Sequence, residues 1–162
     1  MASGVEICDD VKDMIAKMKV VKSGDDQNDR VRLAIFSIRD CKEIIVTKKF
    51  NQKDVGDSPV FSIITDEMKG DPCFYALYDC NFQTKDNVDK DDLIFITWTS
   101  DAASIKNKMI YASSKENLKG CMKGVKHHMQ LNDHSDWSRQ ALAEKIQDKS
   151  TWRVAKIEKV DI

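Results

Sequence analysis

Five cysteines and three histidines carry most of the intrinsic chemistry of this chain, and their spacing argues against its use. Cys8, Cys41, Cys73, Cys80 and Cys121 are odd in number, far apart and free of any CxxC pair. Neither a disulfide framework nor a zinc module is predicted from that pattern. His127, His128 and His134 follow Cys121 closely, but neighbouring side chains on a strand point to opposite faces and do not readily share one ion, so no metal site is expected. A thiolate nucleophile at Cys80 or Cys121 would need a positioned histidine and a depressed pKa; a small buried hydrophobe is the default for such a residue. GxGxxG, GxxxxGKS, GxxxxGKT, GxSxG and HExxH are all missing, and with them the phosphate cradle, the nucleophile elbow and the zinc helix. Enzyme chemistry is the weaker reading of this pattern and no cofactor is expected; a metal or thiol enzyme of the cytosol is the residual alternative.

The chemistry on offer is that of a surface. IKNKMIYASSKENLKGCMKGVK, residues 105–126, reads as one long helix. At about 100° per residue Tyr111, Leu118, Met122 and Val125 stack as an apolar stripe, and Lys108, Ala112, Lys115, Lys119 and Lys123 stack opposite. Met109 projects roughly 40° from the centre of the lysine face. An exposed thioether ringed by lysines suits a docking surface, although a lysine face is more often simply solvated.

Such a helix needs a scaffold, and the chain is long enough to supply one. Its 162 residues fit a single domain spanning 1–162, with a core that needs no staples. Twenty-six basic residues balance 27 acidic ones, so no global field drives the protein onto nucleic acid or a membrane. MASGVEICDD lacks the regions of a signal peptide, no apolar run reaches a membrane span, and the cysteine usage suits the cytosol.

Along the chain, Val5, Cys8, Val11, Met14 or Ile15 and Met18 predict a helix over 5–20, and SGDDQND at 23–29 a loop. VRLAIFSIRD and EIIVTKKF predict a hairpin, and NQKDVGD a break. Ser58 and Pro59 read as cap and first position of a short helix, VFSIITDEM. CFYALYDCNF and DLIFITWT are two more strands, HHMQLN a short one, DWSRQALAEKIQDK a helix capped by Asp136, and TWRVAKIEKV a closing strand. Helices intervene singly, so the fold class is α/β with a mixed sheet flanked by helices on both faces, and not a doubly wound nucleotide binder.

MASGV at 1–5, MKVVKS at 18–23, YALYD at 75–79, DLIFITW at 92–98, KNKMIYASSKENLKG at 106–120, GVKHHMQ at 124–130 and LAEKI at 142–146 resemble, in order, the actin-depolymerising factor and cofilin proteins. MIYASSK is the most specific block. The resemblance implies an actin-depolymerising-factor homology fold with five or six strands. It implies a monomeric, non-enzymatic protein of the cytoplasm and cytoskeleton that binds actin monomers and filaments, prefers the ADP form, and severs and depolymerises filaments. The actin-binding positions it carries onto this chain are Ser3, Lys106, Lys108, Met109 and Lys119. Residues 1–4 become a flexible regulatory segment in which a kinase and a phosphatase act on Ser3; phosphorylation would place nearly two negative charges at the edge of the contact. Phosphoinositide headgroups are implied at Lys106, Lys108, Lys119, Lys123, Lys126 and His127, and a pH-sensing pair at Asp92 and His127.

The chain also departs from the pattern. NDRVRLA at 28–34 replaces the usual basic run, so nuclear entry is not expected. Phe74 stands where relatives carry a basic residue on the filament surface, to which Lys90, Arg139 and Lys145 also belong. The loop at 84–92 is poorer in lysine, and Gly120 and Cys121 interrupt a lysine cluster. These changes leave room for an alternative: a monomer-sequestering relative, similar to twinfilin-type domains, with weak severing.

Overall fold

The computed structural model describes residues 4–20, 30–55, 59–70, 73–148, 150–158 and 160–161. Val5 enters the core ahead of β1 (Glu6–Ile7) and α1 (Asp9–Lys19), which buries Val11, Ile15 and Met18 on one face. The hairpin follows as β2 (Val31–Arg39) and β3 (Glu43–Asn51), with Asp40 and Cys41 at positive φ in its turn. Then come α2 (Gln52–Val55), α3 (Val60–Glu67), β4 (Cys73–Thr84) and β5 (Asp89–Thr99). The chain closes through α4 (Ile105–Lys119), β6 (His127–Leu131), α5 (Arg139–Gln147), β7 (Val154–Ile157) and β8 (Val160–Asp161).

The strands form one mixed sheet in the order β1-β3-β2-β4-β5-β6, with β7 joined to the far end of β4 and β8 to β7. β1 on β3 and β6 on β5 are the parallel pairs. β4 is the central strand: Tyr75–Tyr78 pair with β2, Phe82–Thr84 with β7, and nearly its whole length with β5. Its CFYALYDCNF run is almost uninterruptedly apolar because both faces are covered. Phe74, Ala76, Tyr78, Cys80 and Phe82 pack with α3 and α5, and Tyr75 and Leu77 pack with α1 and α4.

Among the described residues the sheet has eight strands where five or six were expected. β1 and β8 contribute two residues each, too few to leave a period in the sequence. β1 also takes the start of the expected first helix: Glu6 donates its N–H to the Lys42 carbonyl at 2.8 Å and Cys8 to that of Ile44 at 3.1 Å. α2 is a single turn that buries Val55 inside a stretch read as a break. TWRVAKIEKV is split into β7 and β8 by Glu158, at φ 50°.

Two helix starts also differ. Pro59 is the capping residue of α3 and not its first residue; Ser58 lies outside the described residues. The free N–H groups of Val60 and Phe61 go instead to the Glu158 carboxylate, at 3.0 and 3.1 Å, so the last strands supply the cap. Asp136 closes its own 3₁₀ turn by accepting from the N–H groups of Asn132 and Asp133. α5 is capped by Ser138, whose Oγ accepts from the Ala141 N–H at 3.0 Å.

Candidate binding surface

α4 starts cleanly: Ser104 Oγ accepts from the Asn107 N–H at 3.2 Å, and Tyr111, Ser114 and Leu118 face the sheet. The SSKE stretch at 113–116 continues the helix, with Ser113 Oγ donating to the Ile110 carbonyl at 3.2 Å. Tyr111 fastens the middle of the helix; its hydroxyl accepts from the Ile38 N–H at 2.9 Å and its carbonyl accepts from the Tyr75 hydroxyl.

The helix ends at Lys119, seven residues before the predicted end, with Gly120 as its C-terminal cap. Successive turns follow: Cys121 and Met122 donate to the Leu118 and Lys119 carbonyls, and Gly124 takes φ 89°. Met122 and Val125 are nevertheless buried. The apolar spacing that suggested a longer helix is therefore real but is satisfied by turns. Lys123 and Lys126 are exposed in those turns and do not extend the lysine face of α4. Gly120 is a terminator, not a flexible point inside the helix.

On the solvent side Met109 is 67% exposed, as its angular position predicted, and Ile105 one turn earlier is 73% exposed. Together they make an apolar ridge flanked by Lys106 and Lys108, with Lys108 Nζ 3.3 Å from the Asp101 carbonyl. Ile105 was missed in the sequence, although the i, i+4 relation to Met109 was the available signal. Lys119 lies 13 residues beyond Lys106 on the same helix, about 20 Å along its axis. The six expected headgroup positions thus form two groups: Lys106 and Lys108 at one end of α4, and Lys119, Lys123, Lys126 and His127 at the other. Ser3 lies outside the described residues.

At the second end His127 Nε2 donates to Asp92 Oδ2 at 3.0 Å, with both side chains largely buried. That bond, reinforced by the positive field of His127, Lys126 and Lys90, holds the Asp92 carboxyl below its usual range against the opposing effect of burial. His128 turns elsewhere, its Nε2 donating to the Val125 carbonyl at 3.2 Å. Among the described residues no three His, Cys, Asp or Glu side chains are grouped to hold a metal ion.

The depressed Asp92 carboxyl gives a pH prediction. Its contribution to stability is fully present above the unfolded carboxylate value of about 3.9 and is lost as pH falls through the folded one. The difference in urea midpoint between the protein and His127→Ala seen at about pH 5 is therefore expected to close on acidification below about pH 4. A pH-independent difference would exclude the ion pair as its source.

The expected filament-surface residues are dispersed. Phe74 is 4% exposed and packs in the core beside α3 and α5, so it presents no side chain to a partner; its position on β4 faces the wrong way. Lys90 sits over the Trp152 ring at 5.2 Å. Arg139 sits over Phe61 at 4.6 Å and donates to the Ile157 carbonyl at 3.2 Å. Phe61 in turn stacks on Trp137 at 4.6 Å. Lys90 and Arg139 are thus engaged near the two ends of β7, whereas Lys145 is exposed beside β6.

The sequence matches the family of cofilin/tropomyosin-type actin-binding proteins over residues 5–147. The chain belongs to this family. The fold agrees: the actin-depolymerising-factor-like UNC-60A protein of Caenorhabditis elegans superposes with TM-score 0.70 at 27% identity, over 92% of this chain and 98% of that one. Actin depolymerisation factor 2 of Plasmodium berghei gives TM-score 0.76 at 23% identity, over 91% and 99%. Coactosin of Entamoeba histolytica gives 0.70 at 17% identity, over 91% and 97%; these last two likenesses speak to the fold alone. Actin binding is the activity that family membership brings to this chain, and the family is a cytoskeletal, non-enzymatic one. No helix among the described residues is long and apolar enough to cross a membrane.

Proposed function

We propose that the protein binds both actin monomers and filaments, favours their ADP form, and severs and depolymerises filaments. The observation that carries this reading is the Ile105–Met109 ridge between Lys106 and Lys108 on a helix whose other face is fixed to the sheet. An apolar anchor inside a basic rim suits insertion into a cleft with acidic edges. Severing then needs no chemistry: a ligand that prefers a twisted filament shifts subunits toward that state, and strain collects where twisted and untwisted segments meet.

Two regulators belong to the same proposal. A kinase adds charge at Ser3 and a phosphatase removes it. Phosphoinositide headgroups compete at the far end of α4 through Lys119, Lys123, Lys126 and His127, with the Asp92–His127 pair coupling that end to pH. The protein acts as a cytoplasmic, cytoskeletal monomer formed by one domain over residues 1–162.

A second reading has its own support. Phe74 is buried and Lys90 and Arg139 are engaged within the protein, which weakens the second, filament-only surface and favours capture of monomers without severing. Fluorescence microscopy of single ADP-actin filaments separates the two. Breaks along filaments, abolished by Lys106→Ala/Lys108→Ala, are the expected result. Shortening only from the ends would establish the monomer binder.

A further inference from the structure

β6 is the last strand on its side of the sheet, and among the described residues it pairs with β5 alone. Beside it runs an open groove of about 450 Å³, walled by His128, Gln130 and Leu131 of the strand, Ser135 of the following turn, and Ala141 and Lys145 of α5. The groove therefore follows the strand itself. An exposed edge of this kind offers unpaired backbone donors and acceptors to any extended chain that can lie against it.

The charges around the edge are predominantly of one sign and come from both faces of the sheet. Lys145 lies on the α5 side, and Lys115 and Lys119 approach from α4. Lys115 Nζ is held to Gln130 Oε1 at 3.1 Å, and Gln130 is in turn fixed to Thr99 and Asn132 at 2.8 and 3.1 Å. The imidazole of His128 feels all three ammonium groups; burial and then Lys119, Lys115 and Lys145 hold it below its usual pKa, although its bond to the Val125 carbonyl works the other way. One carboxylate, Asp136, lines the groove but is engaged by the Asn132 and Asp133 N–H groups, and Glu116 lies 3.7 Å from Lys119.

This arrangement selects an occupant. A second copy brought edge to edge would set these lysines against their own kind, which is how lysine on an edge strand discourages self-pairing. An acidic strand meets the opposite field. Side chains of an added strand alternate between the two faces, so carboxylates on one face approach Lys115 and Lys119 and those on the other approach Lys145. We propose that the outer edge of β6 is a docking site for an extended acidic segment of a partner protein, which joins the sheet as a further strand. Backbone pairing supplies the affinity, and the lysines choose the partner and speed its arrival.

The test uses a fluorescein-labelled octapeptide with acidic residues on both alternating faces, its backbone N-methylated form and its lysine counterpart. Anisotropy is expected to show binding of the acidic peptide that weakens with salt, with dissociation constants at least tenfold higher for the N-methylated peptide and for Lys145→Glu. Amide shifts in the complex are expected to concentrate at residues 127–131. N-methylation is read on the unaltered protein, so a folding defect in the variant cannot decide the result. Undetectable peptide binding, equal binding of the N-methylated or lysine peptide, or binding only to phosphatidylserine vesicles would overturn the proposal.

Discussion

Asp79→Ala is expected to unfold at a much lower urea midpoint than the parent protein, at a cost of about 3–5 kcal/mol. Asp79 follows Tyr75 and Leu77 on the α1 and α4 face of β4, but its side chain is only 4% exposed. Arg30 Nη2 lies 2.8 Å from its carboxylate and Arg32 Nη1 3.7 Å. Burial raises the Asp79 pKa, while Arg32 and Arg30 oppose the rise and Asp91 adds to it. Desolvation thus outweighs the pairing, so the ion network is a weak source of net stability while it is intact. Removing one partner is another matter. Without Asp79, two poorly solvated guanidinium groups are left, among the described residues, with Asp91 at 3.7 and 3.9 Å. For a domain of this size about 4 kcal/mol is a large share of the total, equivalent to roughly 10 °C in melting temperature. Asp91→Ala is the control: its carboxylate is 37% exposed, so about 1 kcal/mol or less is expected. Equal losses for the two variants would show that burial of Asp79 is not what makes it costly to remove.

What could be read in advance follows from how much of each signal is local. The hairpin β2–β3, the pair β4–β5 and α4 are each built from elements of at least nine residues, long enough for an apolar run or a helical period to be legible. Short or long-range features were not. The end of α4 was hidden because Met122 and Val125 continue the apolar spacing after the backbone has left the helix. The cap of α3 comes from Glu158, nearly a hundred residues along the chain, so no local motif could announce it. At the candidate surface, Met109 was visible as an apolar residue on the wrong side of a helix. The Asp92–His127 pair was reached through family resemblance, and its 3.0 Å contact is now visible in the structure. Ile105 opens the helix, where one apolar residue does not yet mark a face. Phe74 was placed on a surface by the family resemblance alone, whereas strand alternation puts it with Ala76 and Tyr78 in the core.

Ile105→Ser/Met109→Ser is expected to weaken binding to monomeric ADP-actin by a hundredfold or more while leaving the fold intact. Both side chains are mainly in solvent, so their removal takes little from the core, and each substitution should change stability by no more than about 0.5 kcal/mol. In a complex the same side chains would be fully desolvated. Two apolar anchors at about 2 kcal/mol each account for an effect of that size even if they are not additive. The neighbouring lysines act by a different route. Lys106→Ala/Lys108→Ala removes long-range attraction, so the loss should fall mainly on the association rate and shrink as salt rises. Loss of the ridge should instead fall on the dissociation rate and persist in high salt. Stopped-flow association and dissociation with labelled actin, at low and high ionic strength, separates the two. Both variants failing through the same salt-sensitive rate would mean that α4 attracts actin without inserting. A persistent, salt-independent loss confined to the serine variant would identify Ile105 and Met109 as the anchor that turns a basic helix into an actin-binding one.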